Sequence, residues 1–183
     1  SICTDSGGAI IPCAGTGQDG ELQEGVPWPA ERFTTIYCHS TGLCPDQGSD
    51  CDGDAATDGV RDNLTNRMWS RNASPIGSDG TTWQQVLGAM QTLNSSGGLC
   101  GFTDWRLPNQ KEFLSLFDYS QVQPVLSTGH PFTNVQSYTY WSSTSFAALP
   151  GNAWYVTFDV GFVGSSIDGN DHHFIVRAVR TAP

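Results

Sequence analysis

Five aspartates crowd into "DQGSDCDGDAATDGVRDN": Asp50, Asp52 and Asp54 alternate, and Asp58 and Asp62 follow. Calcium takes about six to eight oxygen ligands, and alternate carboxylates in an irregular loop can converge on one ion, so calcium is the cofactor this stretch points to. It is not an EF-hand. Ala55 stands where the sharp turn needs glycine, and Arg61 where the bidentate glutamate should be. The competing reading is a solvated acidic loop pinned by Cys51.

A second polar constellation is "IDGNDHH", residues 167–173. Its Asp168, Asn170, Asp171 and His172 are candidate ligand-binding residues, able to meet calcium or sugar hydroxyls, although hairpin loops favour the same residue types. Trp28, in "VPWPAE", is the tryptophan expected at the surface and free to stack on a ligand. Trp69, Trp83, Trp105, Trp141 and Trp154 fall in motifs or periodic stretches and are expected in the core. In "DWRLPNQKEF", Arg106 could act as an anion clamp. It leads directly into a capped helix, so a structural role is expected instead, bridging loop carbonyls or Asp104 beside Trp105. Three sequons would carry glycans on Asn63, Asn72 and Asn94 in a host that glycosylates. The sequence shows no nucleophile elbow, metal-protease helix or phosphate loop, so the chain is not expected to be an enzyme.

Composition narrows the partners. The net charge is −10, and the basic residues are Lys111 and seven arginines, so no cationic stripe can neutralise phosphates; nucleic acid is not an expected partner. Eleven of the eighteen carboxylates lie in residues 1–62. Six cysteines, at 3, 13, 38, 44, 51 and 100, lack the paired CxxC spacing of a structural zinc site and are expected to form disulfides. Cys3 with Cys13 closes a short, turn-rich loop; the other four are expected in two further bridges of open connectivity. Disulfides imply an oxidising compartment, outside the cell or at its surface. No stretch is long and apolar enough to span a membrane, and a chain that begins at Ser1 fits a signal peptide already removed or left out.

The elements that would position these residues fall into three parts. Residues 1–33 form a Gly/Pro-rich extension with a cysteine-closed hairpin. Residues 34–58 form an irregular Cys- and Asp-rich insertion, and the regular domain spans 59–183. Two helices are legible. Trp83, Val86 or Leu87, Met90 and Leu93 recur at helical spacing behind a Thr82/Gln85 capping box, and "SSGG" stops that helix. Asn109 and Glu112 cap a second, with Pro108 able to staple onto Phe113, and Phe113, Leu114, Leu116 and Phe117 give its buried face. Strand signals follow at 138–145, 153–166 and 173–180, with Trp154, Val156 and Phe158 alternating against Tyr155, Thr157 and Asp159. Two helices before a strand-rich half predict an α+β fold with an antiparallel sheet.

Read in order, "DNLTNRMW", a Trp-led helix, "CGFTDWRLPNQKEF", "HPFTNVQSYTYWSST", "AWYVTFDVG" and the closing "VRAVR" resemble the Lcl C-terminal domain family, named for a bacterial collagen-like adhesin. The resemblance covers roughly residues 58–181. It implies a C-type lectin-like fold, two helices flanking a small twisted antiparallel sheet with long loops above it. It also implies export and adhesion, with self-association as a trimer. Four departures stand out. The basic residues are too few for the sulfated glycans that the adhesin binds; Asn66 replaces a usual glycine, a change that a left-handed turn tolerates; Ala178 replaces the usual cysteine of the closing motif, leaving Cys100 without a partner by analogy; and residues 34–57 look inserted. The reactive cysteine pair of the formylglycine-generating enzymes, which share a related fold, has no counterpart. The function expected is a non-catalytic module that binds an extracellular glycan or protein in surface adhesion or matrix attachment. The alternative is a structural subunit of an extracellular filament assembled through residues 1–33.

Overall fold

Short polar side chains start both main helices. In the computed structural model, which describes residues 2–22, 27–39, 42–75, 82–136, 139–167 and 174–183, Thr82 Oγ1 accepts from the Gln85 N–H and the Gln85 side chain accepts from the Thr82 N–H. Asn109 and Glu112 repeat the exchange. These reciprocal bonds satisfy amide donors that a helix N-terminus leaves over. They open α2 (Trp83–Ser95) and α3 (Gln110–Leu116), after a one-turn α1 (Asp19–Leu22) that the sequence did not announce. Val86 and Met90 of α2, and Phe113 and Leu116 of α3, are buried.

The strands in chain order are β1 (Cys3–Thr4), β2 (Ile10–Ile11), β3 (Phe33–Ile36), β4 (Cys38–His39), β5 (Gly42–Leu43), β6 (Gly59–Asp62), β7 (Arg67–Ser70), β8 (Thr139–Ser145), β9 (Ala153–Thr157), β10 (Val163–Ser166), β11 (Phe174–Ile175) and β12 (Val179–Thr181). They build two four-stranded sheets, β12-β7-β6-β3 and β10-β9-β8-β11, and two small hairpins, β1-β2 and β4-β5. The fold is mixed α+β. Pairing is antiparallel except for β11 on β8, which runs parallel because the chain crosses back after the β9-β10 hairpin.

The β6-β7 turn shows how sequence sets geometry. Asp62 accepts from the Leu64 N–H and the Thr65 hydroxyl, and Asn66 takes the left-handed conformation (φ 53°) that its short polar side chain tolerates. Strand β3 pairs with β6 from Phe33↔Asp62 to Ile36↔Gly59, so the first sheet continues across the boundary drawn at residues 58/59.

Two apolar clusters fill the interior. One gathers Trp69, Phe113, Tyr140, Val156 and Phe158; the other gathers Met68, Val86, Met90, Trp105, Trp141, Phe174 and Ala178. The alternation expected in β9 is only partly realised. Val156 and Phe158 are buried, whereas Trp154 is half-buried against Phe146, and Tyr155 on the opposite face is equally half-buried against the second cluster.

Three disulfides close the chain. Cys3–Cys13 forms as expected, and the remaining four pair as Cys38–Cys100 and Cys44–Cys51. Cys38, Cys100 and Ala178 lie in the same buried cluster, so Cys100 finds its partner in the Cys- and Asp-rich segment ahead of Gly59.

Candidate functional site

A cleft of about 420 Å³ opens between residues 28–33 and 127–131. Its first wall is held by the β6-β7 turn: the Asn63 N–H donates to the Arg32 carbonyl, and Asn63 Nδ2 donates to the Glu31 carbonyl. Arg32 is 6% exposed; its Nε and Nη2 fork onto Asp62 at 2.7 and 3.0 Å, and Nη2 also reaches the Ser115 carbonyl. The second wall is held by Arg71, which donates to the Pro131 carbonyl and pairs with buried Asp58 at 2.7 Å.

Between the walls runs a ladder of rings and guanidiniums. Trp28 lies 4.6 Å from the Arg32 guanidinium, which sits 4.9 Å from Phe33; Phe33 meets Phe132 edge-on at 5.2 Å, and Arg177 lies 4.5 Å over Phe132. Arg177 is 1% exposed, and one of its nitrogens donates to the Ser70 carbonyl. His130 completes the cleft, its ring 5.9 Å from Phe132. Burial, with the Arg177 charge nearby, holds its imidazole below the ordinary value and therefore neutral at pH 7.

Three nitrogens of this group make no hydrogen bond of ordinary geometry besides Arg177 Nε: Arg32 Nη1, His130 Nδ1 and Arg177 Nη2 are all buried and unpartnered. Unmet buried donors cost about 1–3 kcal/mol each, more when charged, so native structures keep few of them. Trp28 is 44% exposed, as the sequence reading expects. Arg32 and His130 escaped that reading. Arg32 is marked only by its partner Asp62, thirty positions on, and "STGHPF" reads as an ordinary turn.

The five aspartates separate into two kinds. Asp50, Asp52 and Asp54 are exposed and accept backbone N–H groups of their own turns: Asp52 and Gly53 for Asp50, Asp54 for Asp52, and Ala56 for Asp54. Those amide donors hold the Asp50 carboxyl below the usual range. Asp58 and Asp62 are fully buried and taken by Arg71 and Arg32; burial raises the Asp58 pKa despite the Cys38 N–H and Arg71. Among the described residues no three His, Cys, Asp or Glu side chains converge as a metal site. Asp168, Asn170, Asp171, His172 and His173 lie outside the described residues.

Arg106 bolts the structure together: Nη1 donates to the Leu107 carbonyl at 3.3 Å, one of the two bonds expected, and its carboxylate partner is Glu112 in place of Asp104. It forks onto Glu112 at 2.7 and 2.6 Å, while Asp104 belongs to Arg180. Its backbone bridges Val179 in both directions. Of the sequon asparagines, Asn63 is exposed, Asn72 is half-buried and accepts from the Ser74 N–H, and Asn94 is committed at both ends of its amide to the Trp105 backbone.

Compared with known protein families, residues 58–180 match the Lcl C-terminal domain. The chain belongs to the Lcl C-terminal domain family. No curated protein matches it. The Lcl C-terminal domain supplies the second wall of the cleft, residues 127–131, and Arg71, which holds that wall at the Pro131 carbonyl, whereas Trp28 and Arg32 come from the segment ahead of it.

Proposed function

We propose that this chain is an exported, non-catalytic binding module that attaches a surface or matrix glycan or protein through the Trp28–His130 cleft. The single observation carrying this reading is the exposed Trp28 beside a cleft whose buried donors are unmet, an arrangement that favours a ligand with both a ring face and polar groups. Family membership, three disulfides and a C-type lectin-like reading of the α+β fold support export and adhesion. This reading does not require calcium. The test is an array of immobilised glycans and matrix proteins probed with the intact chain and with Trp28→Ala. Saturable binding that weakens about tenfold in the variant, at an unchanged melting temperature, supports the reading. Binding indifferent to Trp28 moves the site elsewhere.

A specific observation favours the filament reading as a second possibility. Among the described residues, the hydrogen bonds of residues 2–22 stay within that segment, from Thr4 with Gln18 to Gly17 with Glu21. Ile2, Ile10 and Leu22 are exposed on it. A closed unit with apolar side chains facing out could pack on a second copy. Light scattering separates the readings: a discrete monomer or trimer favours the module, and large polydisperse assemblies that vanish when residues 1–22 are removed favour the filament.

A further inference from the structure

We infer that the Trp28–His130 cleft takes the carboxylate of an acidic sugar, with Arg32 Nη1 and His130 Nδ1 as its donors and the Trp28 ring as the platform for the sugar. This rests on the reading of the cleft as a binding site and names the ligand class.

Charge comes first. Around the cleft stand three guanidiniums, Arg32, Arg71 and Arg177, against two buried carboxylates, Asp58 and Asp62. Arg32 and Arg71 are matched; Arg177 has no carboxylate partner among the described residues. A buried cation without a counter-charge is expensive, and an anion held nearby offsets that cost. With Glu31 on the rim the formal charges around the cleft balance, and Arg177 is the buried cation among them that no carboxylate of the described residues meets.

Valence comes second. Three of the five Arg32 N–H donors are engaged, on Nε and Nη2, by Asp62 and Ser115, and Nη1 is the nitrogen with no partner. His130 Nδ1, in the tautomer that carries its proton there, adds a donor from the other wall, so the two oxygens of a carboxylate could each find a partner. Glu31, exposed on the rim, disfavours a polyanion passing over the cleft.

Shape comes third. A volume near 420 Å³ lies in the range of small-ligand sites, and the opposite wall carries the hydroxyls of Ser127 and Thr128. Both donor nitrogens are closed from solvent, so the ligand reaches them by moving the Trp28 ring off the Arg32 guanidinium. Because that ring is already 44% exposed, the movement uncovers little apolar surface, and the ring can settle on the sugar instead.

The experiment titrates the intact chain with sodium glucuronate, glucose and acetate at fixed ionic strength, followed by calorimetry and amide NMR. Glucuronate is expected to bind about tenfold or more tighter than glucose or acetate, and His130→Ala and Trp28→Ala are each expected to weaken it about tenfold without changing the melting temperature. Arg32→Lys is expected to abolish it; because Arg32 also holds Asp62, the His130 and Trp28 variants decide the case if that variant fails to fold. Equal binding of glucose and glucuronate, no glucuronate binding, or binding unaffected by both decisive variants overturns the assignment. So does a short peptide that competes through its C-terminal carboxylate as well as glucuronate does. A Trp28-dependent array signal without glucuronate binding leaves the cleft as a binding site and removes the carboxylate; glucuronate binding with a blank array does the reverse.

Discussion

Asn94 grips Trp105 by both ends of its amide: Nδ2 donates to the Trp105 carbonyl at 2.7 Å, and Oδ1 accepts from the Trp105 N–H at 3.0 Å. The last turn of α2 is thereby fastened to the segment that leads into α3, and the buried Trp105 ring is aimed at the core, where its indole N–H finds the Leu99 carbonyl. Asn94→Ala leaves both Trp105 backbone groups unmatched in a half-buried site and is expected to cost about 1–3 kcal/mol, read as a lower denaturant midpoint at unchanged slope.

The same joint includes a glycine with no substitute. Gly98 sits at φ +70°, and a Cβ there would lie 1.7 Å from the Phe102 carbonyl oxygen. Gly98→Ala therefore combines left-handed strain with a backbone clash and is expected to destabilise by at least about 2 kcal/mol in a melting experiment. Gly88→Ala is the control: a Cβ there meets nothing within 4 Å, and it should be neutral or stabilising.

The disulfides should rank by the loops they close. Cys38–Cys100 spans 62 residues and Cys44–Cys51 spans 7. Chain entropy assigns about 4 kcal/mol to the first and about 2.5 kcal/mol to the second. Paired Cys→Ala variants measured by chemical denaturation should preserve that order, and the loss of buried Cys38–Cys100 should add the cost of the sulfur atoms removed from the core.

Much of the fold was legible because its signals are local. Both capping boxes lie within four consecutive residues, and the left-handed Asn66 and the Cys3–Cys13 loop are equally local. What escaped depends on distant partners. Nothing around Arg106 announces Glu112 over Asp104, since both are within reach of an arginine and the sheet register decides between them. The aspartates read as one cluster because they are adjacent in sequence; β3 pairing with β6 then turned Asp62 toward Arg32 and left Asp50, Asp52 and Asp54 in turns. The cleft was illegible for the same reason. Its walls lie about a hundred residues apart, and only Trp28, marked by its flanking prolines, stood out.

Glu112 links the local signals to pH. Burial alone would raise its pKa, yet the Arg106 fork, the Asn109 N–H and Arg67 together hold it below the ordinary carboxylate value. A carboxyl with a lowered folded-state pKa contributes stability that is fully present above the unfolded value and is lost as the pH falls through the folded one. Glu112→Gln keeps an acceptor for Asn109 but ends the ion pairs. Its melting temperature should fall slightly at pH 7 and converge on the parent's as the pH drops below the usual carboxylate range.

On the proposed reading, ligand enters between Trp28 and His130. Amide and indole NMR of the labelled intact chain, titrated with the strongest ligand from the array, tests it most directly. Shifts should concentrate on the Trp28 indole, residues 127–131 and the Arg32 side chain, with α2 and residues 2–22 unmoved. Shifts confined to residues 2–22, or to residues 145–152 at the far end of β8, would contradict it.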